Sequence, residues 1–440
     1  MANTYLSMTG TGDAKKWTFS GWFKKTSNGS ELRLITSSDN SSYDDNIRFN
    51  SDDTITIRYR NAVVLKTNRK FRDNNAFYHI VVKVDTDQTT VNNRIILYVN
   101  GIDERVNGYS TDDLPGQGLT GYLNYNITYI GVTNPTANSN HFNGIMSHIN
   151  FTDAYAYDAS AFGETDATTG EWKIKTSPSV TYGSNGFFIL KDGNSLTDQS
   201  GSGNNFTLSQ GTLTKTEDNP SNNFATLMMP GIDSVNNYPW QNNLSFGNLK
   251  GSSTGYSLYV STLGMTTGKY YWESIVTLSG SSNANSGIGI KGTDYIQKAM
   301  WNNDSKSYYY STTGNKGNSE TPATSYGSAI SSGSIVGTAY DATNGTIWFS
   351  LNGVWQNSAT IGEIAAGTTT NSAFSSIPSG TYVAAGTDAT STREFDYNFN
   401  FGNGYFGTTA VSSAGTNASN NGIFEYDVPT GFTALSTKGL

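Results

Sequence analysis

"IILYVNGIDE" at residues 95–104 and "IWFSLNGVWQ" at 347–356 repeat one pattern: an apolar strand, Asn-Gly, and a resumed strand. Asn and Gly tolerate the positive φ that tight hairpin turns matching strand twist require, so Asn-Gly between apolar runs predicts paired antiparallel strands. The two copies stand about a domain apart, so each half of the chain is expected to hold its own antiparallel sheet.

Period-two alternation extends outward from both copies. "TITIRYR" (54–60) puts Ile55, Ile57 and Tyr59 on one face and Thr54, Thr56 and Arg58 on the other, the signature of a half-buried strand. "YHIVVKV" turns Tyr78, Ile80, Val82 and Val84 inward, "YYWESIVTL" does so with Tyr270, Trp272, Val276 and Leu278, and "FDYNFNF" lines up Phe395, Tyr397, Phe399 and Phe401. Convincing amphipathic helices are missing. The rhythm lapses over 166–245, where only Phe187 to Leu190 reads clearly as a strand and "EDNPSNNFATLMMPG" reads as a wandering loop. The expected layout is all-β: a sandwich over 1–165, an ordered, mostly irregular connector with a few strands over 166–245, and a second sandwich over 246–440.

Composition narrows the function. With 27 Lys and Arg against 35 Asp and Glu, a net charge of −8 and a pI near 4.9, the chain lacks the basic footprint of a phosphate-backbone binder, so no nucleic-acid partner is expected. No cysteine is present, which removes thiolate and disulfide chemistry and fits synthesis in a reducing cytoplasm. The amino terminus, "MANTYLSMTGTGDAKKW", has no apolar signal core, and no run approaches the ~18 apolar residues of a membrane helix, so no membrane insertion is expected. Charged residues at 14% beside aromatics at 13% and 47 glycines describe aromatic strands between turns, not disorder.

Several motifs in order carry a family resemblance. "WTFSGWFK" (17–24), "FYHIVVKVDT" (77–86), "RIILYVNG" (94–101), "YIGV" (129–132) and "FNGIMSHINF" (142–151) make residues 1–165 resemble the laminin-G-like, concanavalin A-like sandwiches. "GKYYWE" (268–273), "GIGI" (287–290), "IVGTAYDATNGTIWFSLNGVW" (335–355) and "FNFGNGYF" (399–406) make the second half resemble the SPRY domain. The resemblance implies two concanavalin A-like (jelly-roll) β-sandwiches in tandem. Together with "FGETDATTGEW", "DGNSLTDQSGSGNNF" and "YDVPTGFTALSTKGL", the chain is similar to virion proteins of tailed bacteriophages.

Concanavalin A-like hydrolases carry E-x-D-x-E on one strand, and either stereochemical course needs two carboxylates flanking the scissile bond. The nearest stretch here is Glu394-Phe-Asp396-Tyr-Asn398, whose third member is an amide. Glu394, Asp396, Asn398 and Asn400 are read as the polar face of a strand with an aromatic core face, and no catalytic residue is assigned. His79, His141 and His148 show no metal-ligand spacing, with His79 facing opposite Ile80 and Val82. Laminin-G-like domains can bind calcium at rim loops. Asp39, Asp44, Asp45, Asp192 and Asp198 do not match a spaced calcium loop and are common turn residues, so no metal or other cofactor is assigned.

Sugar binding calls for aromatic faces beside amides and carboxylates. "AMWNNDSKSYYYSTTGNKGN" (299–318) supplies them in one segment, and the glycan-binding candidates are Trp301, Asn303, Asp304, Tyr308, Tyr309 and Tyr310, with Asn302 beside them. Consecutive strand tyrosines point both ways, so at least one is expected to face outward or into a partner. The resemblance implies a non-enzymatic virion structural protein: a tail-fibre, tail-associated or head-decorating subunit made in the host bacterial cytoplasm. Its expected partners are other virion proteins and a host-surface glycan, with a homo-oligomer, a trimer by analogy with phage fibres. Two other readings are a glycan depolymerase and a cellular SPRY scaffold binding peptides through loops such as "SGSSNANSG" (279–287).

Overall fold

Both Asn-Gly hairpins form. In the first, Ile95–Val99 pairs with Ile102–Asp103 around Asn100 and Gly101, at φ 50 and 79°. In the second, Thr346–Leu351 pairs with Val354–Trp355 around Asn352 and Gly353, at φ 49 and 79°. These two pairs of positions suit Asn and Gly because side chains on other residues crowd the backbone at positive φ. The computed structural model describes residues 3–38, 44–125, 127–191, 193–230, 242–279, 283–296, 300, 306–318, 321–390 and 394–440.

The chain divides into two units, Met1–Lys215 with Asn219–Ser221, and Thr216–Asp218 with Asn222–Leu440. In the first, an eight-stranded antiparallel sheet runs in the order Tyr109–Asp112, Ala62–Thr67, Ile55–Tyr59, Asp44–Phe49, Leu32–Ser38, Ile127–Ile130, Tyr5–Thr9 and Thr207–Gln210. Its partner sheet has six strands: Phe187–Ile189, Gly144–Asp153, Lys16–Lys25, Tyr78–Asp85, Ile95–Val99 and Ile102–Asp103. Alternation decides the faces. Trp17, Phe19 and Phe23 of one strand and Ile80, Val82 and Val84 of the next meet Ile47, Phe49, Ile55, Ile57 and Tyr59 from the other sheet in one buried core. Each such apolar side chain contributes roughly 1.5–3 kcal/mol on leaving water.

The second unit repeats the scheme. A seven-stranded sheet orders Leu227–Met228, Ser257–Met265, Tyr382–Asp388, Gly287–Gly292, Ser307–Ser311, Asn315–Asn318 and Thr321–Ser325. The opposing sheet runs Asn242–Ser245, Lys250–Ser253, Glu394–Asn400, Lys269–Ser279, Ser334–Asp341, Thr346–Leu351 and Val354–Trp355, with Thr433–Ala434 added parallel to Lys269–Ser279. Tyr270, Trp272, Val276, Tyr397, Phe399 and Phe401 pack in the core between them, as alternation predicts.

Residues 166–245 depart from the expected connector. Phe187–Ile189 and Thr207–Gln210 are strands of the first unit's two sheets, while Phe224, Ala225 and Leu227 are buried in the second unit. The cause is burial. "FFI" and "FATL" carry too much apolar surface for a solvated linker, and each completes the sandwich nearest to it in sequence.

In each unit a later segment also seals the outer face of one sheet. Residues Tyr157 to Val180 bring Tyr157, Phe162 and Trp172 onto Val81 and Tyr98. In the second unit the capped helix Ile361–Ala366 and residues from Phe424 onward bury Tyr271, Ala339 and Trp348 beneath Ile364, Phe424, Val428 and Phe432.

Candidate functional site

The tyrosine run does not form an open platform. Trp301, Asn303 and Asp304, like Asn302, lie outside the described residues. Tyr308, Tyr309 and Tyr310 form part of a strand whose five residues are all buried. Tyr308 and Tyr310 point into the sandwich core, where the Tyr310 ring stacks on Phe349 at 5.6 Å. Tyr309 points the other way, as alternation requires, but packs against Leu258, Val260, Met300, Val383 and Ala385. The expectation of an outward-facing tyrosine is therefore corrected: Tyr309 is buried in an apolar cluster formed by same-face residues of its own sheet together with Met300.

Other sequence candidates are likewise engaged in structure. Asp396 pairs with Lys250 at 2.7 Å, and the Glu394 side chain lies outside the described residues. Asn400 is buried, not on a solvated face. Its Oδ1 accepts the backbone N–H groups of Gly402 and Gly404, and its Nδ2 donates to Ile423 O. Asp39 and Asp192 are outside the described residues. Asp45 accepts backbone N–H groups from Arg60, Tyr122 and Leu123, yet burial still pushes its carboxyl up to about 6. Asp198 accepts from the backbone of Phe188, Ser200 and Asn204. Among the described residues no group of three or more Asp, Glu or His side chains stands together as metal ligands.

His79 is fully buried, sandwiched between Trp22 at 4.5 Å and Trp172 at 6.0 Å. Trp172 Nε1–H donates to its Nδ1 at 2.9 Å, so Nε2 carries the proton and donates to Ser20 Oγ at 2.9 Å. Burial alone drives its pKa down to about 3, keeping the ring neutral.

A different face gathers polar groups in register, with Arg33, Thr36, Asn46 and Thr56 buried and the Arg48 and Arg58 side chains partly exposed. On the outer side of the eight-stranded sheet, Arg33 stands directly across from Arg48, Arg48 from Thr56, and Thr56 from Lys66. A second rung beside it sets Thr36 across from Asn46 and Asn46 across from Arg58. Strands are ~4.8 Å apart, so the first rung spans about 14 Å over four strands. The inward positions on the same strands, Ile47, Phe49, Ile55 and Ile57, are core, and they fix which way the arginines point.

The polar groups on this floor hold one another in place. Glu31 lies 2.9 Å from Arg33 and 3.6 Å from Arg48, and Asp44 lies 3.4 Å from Arg33 and 2.7 Å from Arg58. Arg48 donates Nε–H to Asn50 at 2.9 Å and an Nη1 proton to Asn46 at 3.0 Å. Asn46 in turn donates to Asp44 at 2.8 Å, Asn50 to Thr56 at 2.7 Å, and Asn140 to Glu31 at 2.9 Å. Thr36 Oγ1, fully buried, has no hydrogen-bond partner among the described residues. Guanidinium and amide groups locked this way form a preorganised donor surface for oxygen-rich ligands.

Sequence reading missed this floor. Alternation did place Arg58 on a polar face, but Arg33, Asn46 and Arg48 become its neighbours only through strand pairing.

Comparison with known proteins agrees with the architecture. Residues 2–160 match the concanavalin A-like lectin/glucanases superfamily, and residues 269–372 match the SPRY domain. The chain carries a concanavalin A-like domain and a SPRY domain in tandem. Among solved structures, the human HERC1 SPRY domain is 16% identical, with TM-score 0.26, covering 34% of this chain and 86% of its own. The heptameric SAP-like pentraxin of Limulus polyphemus is 13% identical, with TM-score 0.26, covering 35% of this chain and 71% of its own. A protein of Bacteroides ovatus described as carbohydrate-binding is 14% identical, with TM-score 0.33, covering 49% of this chain and 59% of its own. No curated protein matches.

Proposed function

We propose that this chain is a non-enzymatic recognition protein of a bacteriophage virion, a tail-fibre, tail-associated or head-decorating subunit. Its concanavalin A-like sandwich binds a host-surface glycan on the Arg33–Arg48–Arg58 floor. The observation that carries the reading is the register itself. Arg33, Asn46, Arg48 and Arg58 sit on adjoining strands of one outward face, cross-braced by Glu31, Asp44, Asn50 and Asn140. Such bracing fixes donors before a ligand arrives, which lowers the ordering cost of binding. The tandem lectin-like and SPRY domains support recognition in preference to catalysis, and the virion assignment rests on the motif resemblance along the chain.

Two experiments test it. The full chain, applied to an array of bacterial surface glycans, is expected to bind a subset, and Arg58→Ala is expected to abolish that binding. An array with no bound glycan overturns the recognition role. Purified phage particles from the source are expected to take immunogold label against residues 246–440, and unlabelled particles overturn the virion assignment.

A further inference from the structure

Three guanidiniums on one sheet face need a reason that sheet stability does not supply. Arg33 and Arg48 are directly opposed, and Arg58 is diagonal to Arg48. Like charges placed directly across a ladder destabilise it. Among the described residues only Glu31 and Asp44 answer them, and Lys66 at the far end of the rung pairs with Asp52 at 2.8 Å. Among the described residues, three cations stand against two anions, leaving one guanidinium charge without a counter-ion there. Burial, and after it the neighbouring Arg33, hold Arg48 below the usual arginine range, which marks the same excess.

The spare hydrogen-bonding capacity has the same sign. Asn46 Oδ1 and Asn50 Oδ1 already accept from Arg48, and the oxygens of Glu31 and Asp44 already accept from arginines and amides. The Nη2 groups of Arg48 and Arg58, by contrast, donate to nothing among the described residues. These two side chains keep 14% and 32% of their surface exposed. A ligand fitting this floor therefore brings acceptors and negative charge. A carboxylate can accept a charge-assisted hydrogen bond from each free Nη2, and the open part of this floor is the Arg48–Arg58 diagonal, because Arg33, Asn46 and Thr56 are buried.

Resting on the reading of this face as a glycan site, we propose that the ligand is an acidic glycan whose uronic-acid carboxylate is bound by Arg48 and Arg58.

The test is calorimetric titration of the full chain with oligogalacturonate and with the neutral galacto-oligosaccharide of equal length. Oligogalacturonate is expected to bind and the neutral sugar to bind at least tenfold more weakly. Arg48→Ala and Arg58→Ala should each weaken the acidic ligand by about 10- to 100-fold, and high salt should weaken it in the wild type. Arg58 is the more exposed of the two, so Arg58→Ala keeps the test valid where Arg48→Ala unfolds the sandwich. Equal binding of both sugars, each lost in Arg58→Ala, overturns the acidic class while leaving a glycan site on this floor. Binding unaffected by either substitution overturns the site but not glycan recognition by the chain. Failure of both sugars to bind overturns the proposal for uronates, and the glycan array then decides the broader reading separately.

Discussion

Asn100 and His79 clasp each other twice: Asn100 N–H donates to His79 O at 2.9 Å, and Asn100 Oδ1 accepts the His79 N–H at 2.8 Å. Asn352 and Ile335 do the same in the second sandwich, both at 2.8 Å. Each Asn stands one residue past the last ladder pair, Ile80 with Val99 and Val336 with Leu351. There the chain turns away, and the side-chain amide replaces the missing backbone acceptor. The Asn-Gly repeat is thus one device used twice.

Each turn glycine is also roofed by an aromatic ring. A Cβ on Gly101 would lie 2.4 Å from Trp172, and one on Gly353 would lie 2.5 Å from Tyr426. Gly101→Ala and Gly353→Ala are expected to destabilise by about 1–3 kcal/mol, combining positive φ with a ring displaced from its seat. Calorimetry should show each substitution lowering the transition of its own unit; equal effects on both transitions would contradict the assignment.

The buried His79 predicts acid sensitivity. Its folded pKa of about 3 lies below the usual 6.5, so the unfolded chain takes up the proton first as pH falls. Stability is therefore lost between about pH 6.5 and 3. The urea midpoint of the first unit should fall over that window. Trp172→Ala, which opens the ring to water, should raise the His79 pKa toward 6.5 by NMR titration; an unchanged pKa would show that Trp172 does not seal it.

Glu273 has the opposite sign. Buried beneath the C-terminal segment, it accepts backbone N–H groups from Glu425 and Tyr426 at 2.8 and 2.9 Å and the Tyr271 hydroxyl at 3.0 Å. Burial outweighs these donors and pushes its pKa up to about 7 from 4.5. The folded state holds the proton more tightly, so this contribution is full below about pH 4.5 and is lost as pH rises through 7. Glu273→Ala should remove that pH dependence and orphan two backbone donors, at about 1–3 kcal/mol each. Faster hydrogen exchange confined to residues 424–428 would be its signature.

Tyr309 separates packing from ligand contact. Tyr309→Ala is expected to cost about 3–5 kcal/mol by emptying the pocket formed with Leu258, Val260 and Val383. Tyr309→Phe should change stability by less than about 1 kcal/mol. Loss of glycan binding with stability intact in either variant would instead restore a ligand role.

Much of the architecture was legible because it depends on local pattern. Alternation assigns Ile55, Ile57, Trp272 and Phe399 to cores, and positive φ at Asn-Gly sets the hairpins, each within a few residues of sequence. The tyrosine run shows where that logic stops. Alternation correctly sends Tyr309 away from the sandwich core, but whether that face meets water depends on what strand pairing sets beside it, here residues 258–260 and 383–385 of the same sheet together with Met300. Burial likewise drew "FFI" and "FATL" into the sandwiches, although their surrounding turns resemble linker sequence.

Two all-β sandwiches, their hairpins and the inward face of nearly every long strand follow from local pattern, because a side-chain period of two is a property of one strand alone. That Arg33 faces Arg48 and Asn46 faces Arg58 follows only from how the strands assemble. Strand order and register join residues through hydrogen-bonded ladders, and a floor spread over four strands has no signature within any one of them.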